Sequence, residues 1–567
     1  MAREISTVGV IGLGTMGAGI VEVFAKAGLT VVGVDGTPEL AERGKGFLEA
    51  STGRAVAKGR LSEDDQAAVL GRVTWTDQLG DLKDVDLVIE AVPERLEIKR
   101  DIFGKLDDIV RDDAVLASNT SSLSLTEIAA STKHPQRVIG MHFFNPAPVL
   151  KLVEVITTLF TDDELTTSVR ELAERLGKKP VVVGDRAGFV ANALLITYLA
   201  RAIRVYETGH VSREDLDAAG QVGIGLPMGP LTLSDLIGLD VVKEVCDVLY
   251  AATHEPSAAP PALLQQMVTA GRLGRKSGQG FYTYEKAGSG TVLDAPAAAE
   301  RSSGATKTVG VVGTGDLATE LVEKLTESGA QVTAVDDPAA DLAPLAGLPL
   351  VLLVGGPEAG CEDCGGGECL IAEGADPADA TACECCHGKA PAAWFGAVAE
   401  ALDERTVVVP TDEASAWALI GHLDPQVQVV PVAVHQPTRA GQLVEVARQL
   451  DASAEAVDGV QATFDAAGFV TLASRDRAGL VVDALLYPHL NDAVRMLDSG
   501  YATAEDIDTA MTAGCGYPQG PFAMIDAIGA EEVADGLTQM QLETGEPALT
   551  PSPLLVEHAA IDRPFLG

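Results

Sequence analysis

His142 and Glu154 are the first residues to weigh. His142 falls near the end of an apolar run, VIGMHF at 138–143, ahead of a Pro-containing turn. In the run 150–156, Glu154 alternates onto the same strand face as Leu150, Leu152 and Ile156. A carboxylate on an otherwise apolar face needs a partner, and an imidazole is a good candidate. Such a Glu orients the ring and stabilises the imidazolium formed when it takes a proton, which is the make-up of a general base. Taken alone, His142 reads more plainly as a hydrogen-bonded core histidine.

A second constellation suits a pyrophosphate. Gly12, Gly14 and Gly17 follow a strand-like run and open a helical pattern. Gly12 permits the tight turn, Gly14 lets backbone amides approach the phosphates, and Gly17 lets helix and strand pack closely. Asp35 ends the next apolar run, 18 residues after Gly17. Its carboxylate can accept from both ribose hydroxyls and repels a 2′-phosphate, so NAD is expected rather than NADP. A bare glycine-rich turn would not need strand, helix and acid in this order.

These residues sit in a chain that contains itself twice. VGVIGLGTMGAGI from Val8 matches VGVVGTGDLATEL from Val309, at an offset of 301. Asp185-Arg186-Ala187-Gly188 returns as Asp476-Arg477-Ala478-Gly479, at an offset of 291. Each copy alternates short apolar runs with helical patterns and then turns wholly helical. The fold class expected is α/β: a Rossmann-type parallel-sheet domain plus an all-α C-terminal domain, the pair duplicated in one chain. The boundaries expected are 1–186 and 187–286 for the first copy, a linker at 287–305, then 306–475 and 476–567. The third segment carries a Cys-rich insert at 357–390.

The length of 567 residues accommodates that many domains. A net charge of −41 repels nucleic-acid phosphate and anionic lipid, so neither is an expected partner. No run approaches the ~20 apolar residues that span a bilayer, and no signal-peptide pattern follows Met1, so a cytoplasmic location is expected.

Gly-Leu-Gly-Thr-Met-Gly at 12–17, Ser-Asn-Thr-Ser-Ser at 118–122, His-Phe-Phe-Asn-Pro at 142–146 and Lys-Leu-Val-Glu-Val at 151–155 together resemble the 3-hydroxyacyl-CoA dehydrogenases. So do the stretches 188–194 and 274–282, and the likeness runs from Val8 to about Tyr284 in order. The resemblance implies that His142 takes the proton of a substrate 3-hydroxyl while hydride leaves C3, with Glu154 orienting it. It implies that Ser121 and Asn192 bond the reacting oxygen and the imidazole. It implies NAD contacts from Glu94, Lys99, Ser121, Asn145 and Lys276, and a hold on coenzyme A from Ser51 and Lys58. Arg54 joins them on the residues' own account. Ser51, Arg54 and Lys58 fall at helix spacings within a basic island of an acidic chain, where a 3′-phosphate and pyrophosphate need cations.

The substrate expected by default is 3-hydroxybutyryl-CoA. 3-Hydroxyadipyl-CoA is one alternative. A free 3-hydroxyacid is another, disfavoured because the helix after Gly188 carries Asn192 and no Lys.

The second copy reads as inactive. Ala433 stands where His142 does, Glu445 keeps the place of Glu154, Asp483 replaces Asn192, and about Glu413 replaces Ser121. His435 falls opposite Phe144, too far along the strand to substitute simply. The segment carrying the coenzyme A helix is missing, and the chain ends without a counterpart of Lys276. Such a half can be kept for structure: family members dimerise through their helical domains, and two such domains in one chain can form that contact internally, with a homodimer also open. The residues expected to meet lie at about 187–239 and 478–528. Cys361, Cys364, Cys369, Cys383, Cys385, Cys386 and His387 offer up to four ligands to a structural zinc, which makes a metal-stabilised regulatory or binding module the other reading of this half.

Overall fold

Strands rich in Val, Ile and Leu form where the apolar runs predict them. β1 (Thr7–Ile11), β2 (Thr30–Val34), β3 (Val73–Thr76), β4 (Leu87–Glu90), β5 (Val115–Ser118), β6 (Val138–Phe143), β7 (Leu152–Thr157) and β8 (Lys179–Gly184) make one sheet in the order β3-β2-β1-β4-β5-β6-β7-β8. In this computed structural model the described residues are 5–294, 304–336, 342–354, 398, 400–402, 405–411, 423 and 426–567.

The strand order reverses between β1 and β4, which leaves a crevice at their carboxyl ends, the usual ligand position of such sheets. β6 and β7 are antiparallel, so the sheet is mixed and not purely parallel as expected. The reason is local. Only eight residues, 144–151, separate the two strands, too few for a crossover helix. That reversal sets His142 directly opposite Glu154.

The helix Thr15–Lys26 packs on the sheet and buries Ile20, Val21 and Phe24 against the strand residues Val8, Val10 and Val31. Phe24 meets Phe143 edge-on at 6.2 Å, tying the glycine-loop helix to the histidine strand. The helix Leu96–Ile109 buries Lys99, Phe103 and Leu106, one stripe at helical spacing.

The second copy builds β9 (Thr308–Val312), β10 (Gln331–Val335), β11 (Leu350–Leu353), β12 (Val407–Pro410) and β13 (Gln428–Val429), in the order β10-β9-β11-β12-β13. A second sheet holds β14 (Val432–Val434), β15 (Leu443–Arg448) and β16 (Val470–Arg475). Only 14 residues separate β10 from β11, whereas β2 and β4 are joined through two helices and β3.

The chain divides into two compact units, each drawing on both copies. One is Met1–Ile203, Ile237–Ser277 and Leu486–Gly567; the other is Arg204–Leu236 and Gly278–Leu485. Within the first unit the Tyr501 hydroxyl donates to the Gly184 carbonyl at 2.8 Å. Within the second, the residues at the equivalent places meet: the Arg475 amide donates to the His210 carbonyl at 3.1 Å. Tyr198 and His489, themselves equivalents at the 291 offset, touch with ring centroids 5.4 Å apart in the first unit. Self-equivalent contacts of this kind are what a two-fold interface produces.

His489 carries a pH prediction. Burial pushes its imidazole down to about 4, against a weak pull upward from the Leu194 carbonyl. The unfolded chain therefore binds the proton first as pH falls. Stability from this group is full above about 6.5 and is lost between about 6.5 and 4, by on the order of a few kcal/mol. Urea unfolding as a function of pH checks it: His489→Phe flattens the acid limb, and an unchanged limb would exclude the account.

Candidate active site

Five elements converge on one cavity of about 370 Å³. Thr15 and Met16 come from the glycine-loop helix, Ala91, Val92 and Glu94 from the end of β4, Asn119 and Ser121 from the loop after β5. His142, Phe143, Phe144 and Asn145 come from β6 and its turn, and Asn192 from the helix Ala191–Glu207.

At its centre His142 Nδ1 lies 2.7 Å from Glu154 Oε2. Glu154 is fully buried and His142 only 5 % exposed. The other carboxylate oxygen, Oε1, accepts from the Val190 and Ala191 amides at 3.0 Å each, where the following helix begins. Free helix N-terminal amides favour an anion there. Glu154 is thus fixed by the backbone, and the ring is fixed by Glu154, leaving Nε2 as the nitrogen available to a substrate. Phe144 and Phe189 flank the imidazole at 4.5 and 5.7 Å between centroids.

The loop after β5 is held by Glu94. Its Oε1 accepts from Thr120 Oγ1 at 2.6 Å and from the Ser121 and Ser122 amides at 2.8 and 3.1 Å. Burial pushes this carboxyl up, but the Lys99 charge and the Thr120 and Ser121 donors outweigh it and hold it below the usual range. Lys99 is 1 % exposed and bonds Glu90 at 2.7 Å and Glu94 at 3.1 Å. It does not line the cavity itself, and its ammonium lies behind Glu94.

The glycine loop fits a dinucleotide. A Cβ on Gly17 would sit 1.8 Å from the Gly12 carbonyl oxygen, and Gly12 itself has φ of +86° with the Ala91 carbonyl against it. Gly14 caps the helix with no side chain and has open space beside it. Asp35 accepts from the Leu13 and Gly36 amides at 2.8 and 2.7 Å, which pins its carboxylate beside the loop.

The remaining expected residues stand apart from the cavity. Ser51 and Arg54 lie in the last turns of the helix Pro38–Ala57 and Lys58 caps it, with Arg54 and Lys58 exposed. Lys276 pairs with Asp240. Asn119 is a residue that sequence reasoning missed. Its side-chain oxygen accepts from the Phe143 amide at 2.8 Å and so ties the serine loop to the histidine strand.

In the second copy Ala433 stands opposite Glu445, as His142 does opposite Glu154. The expectation that His435 is too far along the strand is corrected: its Nε2 lies 2.7 Å from Glu445 Oε1. Two residues along a strand is the same face, and the imidazole is long enough to reach back. Glu445 also accepts from the Val481 and Val482 amides, repeating the Glu154 arrangement. The ring nitrogen used is the opposite one, so Nε2 is occupied here. A counterpart of the segment at 281–282 is present too: Asp526 accepts from the Phe565 and Leu566 amides as Asp235 does from Phe281 and Tyr282. Five residues before Phe565, where Lys276 precedes Phe281, stands Ala560.

Glu413 and the seven candidate metal ligands at 361–387 lie outside the described residues. Among the described residues no group of three or more His, Cys, Asp or Glu is placed to hold a metal, and no helix is long and apolar enough to cross a membrane.

A glycine-loop sheet domain, an acid beside the loop and a buried histidine–carboxylate pair in the crevice define a nicotinamide-dependent dehydrogenase. The family profile described as 3-hydroxyacyl-CoA dehydrogenase, NAD binding domain, matches residues 7–186, and that of the C-terminal domain matches 188–284 and again 479–564. The chain is 50 % identical over 286 residues to a 3-hydroxybutyryl-CoA dehydrogenase of Mycobacterium tuberculosis, covering 50 % of this chain and 100 % of that one. It is 32 % identical over 570 residues to the 3-hydroxyadipyl-CoA dehydrogenase of Escherichia coli K12, covering 99 % of each. A crystal structure described as 3-hydroxybutyryl-CoA dehydrogenase from Escherichia coli K12 superposes with a TM-score of 0.72 at 29 % identity, covering 99 % of each chain. The chain belongs to the 3-hydroxyacyl-CoA dehydrogenase family, with the family's C-terminal domain present twice, and is an NAD-dependent enzyme.

Proposed function

We propose that the first copy carries the whole reaction, with His142 as general base and 3-hydroxybutyryl-CoA as its default substrate. The observation that carries this is the 2.7 Å bond from His142 to a Glu154 already held by two backbone amides. NAD, when bound, supplies the hydride acceptor. The chain's own residues move the proton. His142 Nε2 takes it from the 3-hydroxyl, and Glu154 stabilises the imidazolium that results. In the reverse direction the same nitrogen returns it to the ketone. Ser121 and Asn192, both on the cavity wall, hold the reacting oxygen. Gly12, Gly14 and Gly17 admit the pyrophosphate, Asp35 takes the ribose, and Glu94 and Asn145 border the nicotinamide end. Lys99, which also holds Glu94, and Lys276 complete the contacts to the cofactor. Ser51, Arg54 and Lys58 hold coenzyme A.

In this reading the segments are 1–186, 187–286, 287–305, 306–475 and 476–567, and the second copy is structural. Its helical domain replaces the partner subunit, which the Tyr198–His489 contact supports. The second substrate reading, 3-hydroxyadipyl-CoA, is favoured by the relative that matches along the full length.

The test is NADH consumption by the purified chain with acetoacetyl-CoA. Turnover supports the reading. Failure with every 3-oxoacyl thioester, with turnover of free 3-oxoacids, overturns it. Asp35→Ala should lower the NAD over NADP ratio of kcat/KM at least about tenfold, because a ribose partner is lost and the repulsion of a 2′-phosphate goes with it. An unchanged ratio would remove Asp35 from the cofactor site.

A further inference from the structure

Beside the catalytic cavity lies a larger one, of about 830 Å³, wholly within the first compact unit. Phe189 stands between the two, since it lines the larger cavity and its ring lies 5.7 Å from that of His142. The wall changes character along its length. Phe189, Leu194 and Leu249 are buried and apolar. Arg186, Ser499 and Tyr501 are polar, and Arg186 is exposed.

Two features of that polar end matter. Arg186 donates to Ser499 Oγ at 3.0 Å and stacks over the Tyr501 ring at 4.3 Å, which fixes a planar cation in place. Among the described residues it has no carboxylate within 4 Å, although other charged groups of the wall are engaged. Asp185 accepts from Ser124 and Thr126, and Asp492 lies 3.5 Å from Arg495. Glu255 is the remaining acid of the wall and is exposed. A guanidinium offers five donors, and one of them is spent on Ser499.

The second feature is the origin of the wall. Met496, Ser499 and Tyr501 belong to the second copy. The cavity is incomplete without that copy.

We infer that the second copy completes the acyl pocket of the first, and that Arg186, set by Ser499 and Tyr501, selects 3-hydroxyacyl thioesters with a carboxylate at the far end of the acyl chain. The inference rests on the reading of His142 as the catalytic base, and it takes the second substrate reading, a dicarboxylic thioester, in place of the default. A short unsubstituted acyl group leaves Arg186 solvated and gains nothing from it. A dicarboxylic acyl group sets its apolar methylenes against Leu194 and Leu249 and its anion in the guanidinium fork. The second copy then has a role in selectivity as well as in structure.

The experiment compares kcat/KM of the full chain for 3-oxoadipyl-CoA and 3-oxohexanoyl-CoA, which share chain length and differ in the terminal carboxylate. The wild type should favour the dicarboxylic thioester by about tenfold or more, the scale of one hydrogen bond to a charged group. Arg186→Gln should abolish that ratio and Arg186→Lys should restore part of it. Met496→Trp should lower kcat/KM for both six-carbon substrates relative to acetoacetyl-CoA, and Met496→Ala should not. A wild-type ratio near one, or an Arg186→Gln ratio equal to wild type, overturns the carboxylate assignment. Unaltered length selectivity in Met496→Trp overturns the second copy's part. Inactivity of the wild type toward all three thioesters strikes instead at the reading of His142.

Discussion

His142→Gln should lower kcat for acetoacetyl-CoA reduction by about 10²–10⁴-fold while the dissociation constant for NADH stays near wild type. Gln preserves a hydrogen bond to Glu154 but cannot hold the proton that the ketone oxygen needs. The loss therefore falls on the chemical step and not on cofactor binding. Glu154→Gln should cost less, about ten- to a hundredfold. The ring stays packed between Phe144 and Phe189, but the buried anion beside it is gone. His435→Gln is the matching change in the second copy. Its rate should lie within about twofold of wild type, since Nε2 of His435 is occupied by Glu445 and Ala433 stands at the His142 position. Stopped-flow single turnovers separate the chemical step from release. A His142→Gln enzyme within about tenfold of wild type would end the general-base reading.

Much of this was legible in the chain itself because the signals were local. A glycine pattern between an apolar run and a helical one requires little else to be recognised, and Gly12 and Gly17 prove to be places where a Cβ would strike backbone. Strand periodicity put Glu154 on an apolar face in need of a partner, and the family resemblance named His142 as that partner. What stayed hidden depends on direction and reach. Apolar runs carry no record of strand direction, so the antiparallel turn between β6 and β7 was not visible. His435 could be placed on a strand but not seen to bend back to Glu445. Asn119 is an ordinary polar residue until the fold sets it against the Phe143 amide. The larger cavity is the extreme case. It combines Arg186 with Ser499, residues 313 apart in the chain, and no short-range pattern encodes that meeting.

Lys99→Met should destabilise the protein by about 3–5 kcal/mol, the cost of stranding a buried charge. Glu90 is fully buried, and its Oε1 accepts from both Lys99 and the Val92 amide while Oε2 accepts from Ser118. Removing the ammonium leaves two carboxylates close together, with Glu94 still pulled toward the serine loop by its donors. The remedy is for one of them to take a proton. Glu94 is held below the usual carboxylate range in the wild type, so it adds stability above that range that is lost as pH falls through its folded value. Without Lys99 that loss should begin at higher pH, and urea unfolding of Lys99→Met between pH 5 and 8 should steepen accordingly. Adding Glu90→Gln should recover most of the stability, because an amide at that place asks for no counter-charge. NADH binding makes the positional role visible. If Lys99 only fills the core, the double variant binds NADH as wild type does. If it positions Glu94, and through Glu94 the Ser121 loop, NADH affinity stays low after stability returns. A Lys99→Met protein within about 1 kcal/mol of wild type would mean that the ion triad contributes nothing that a thioether cannot replace.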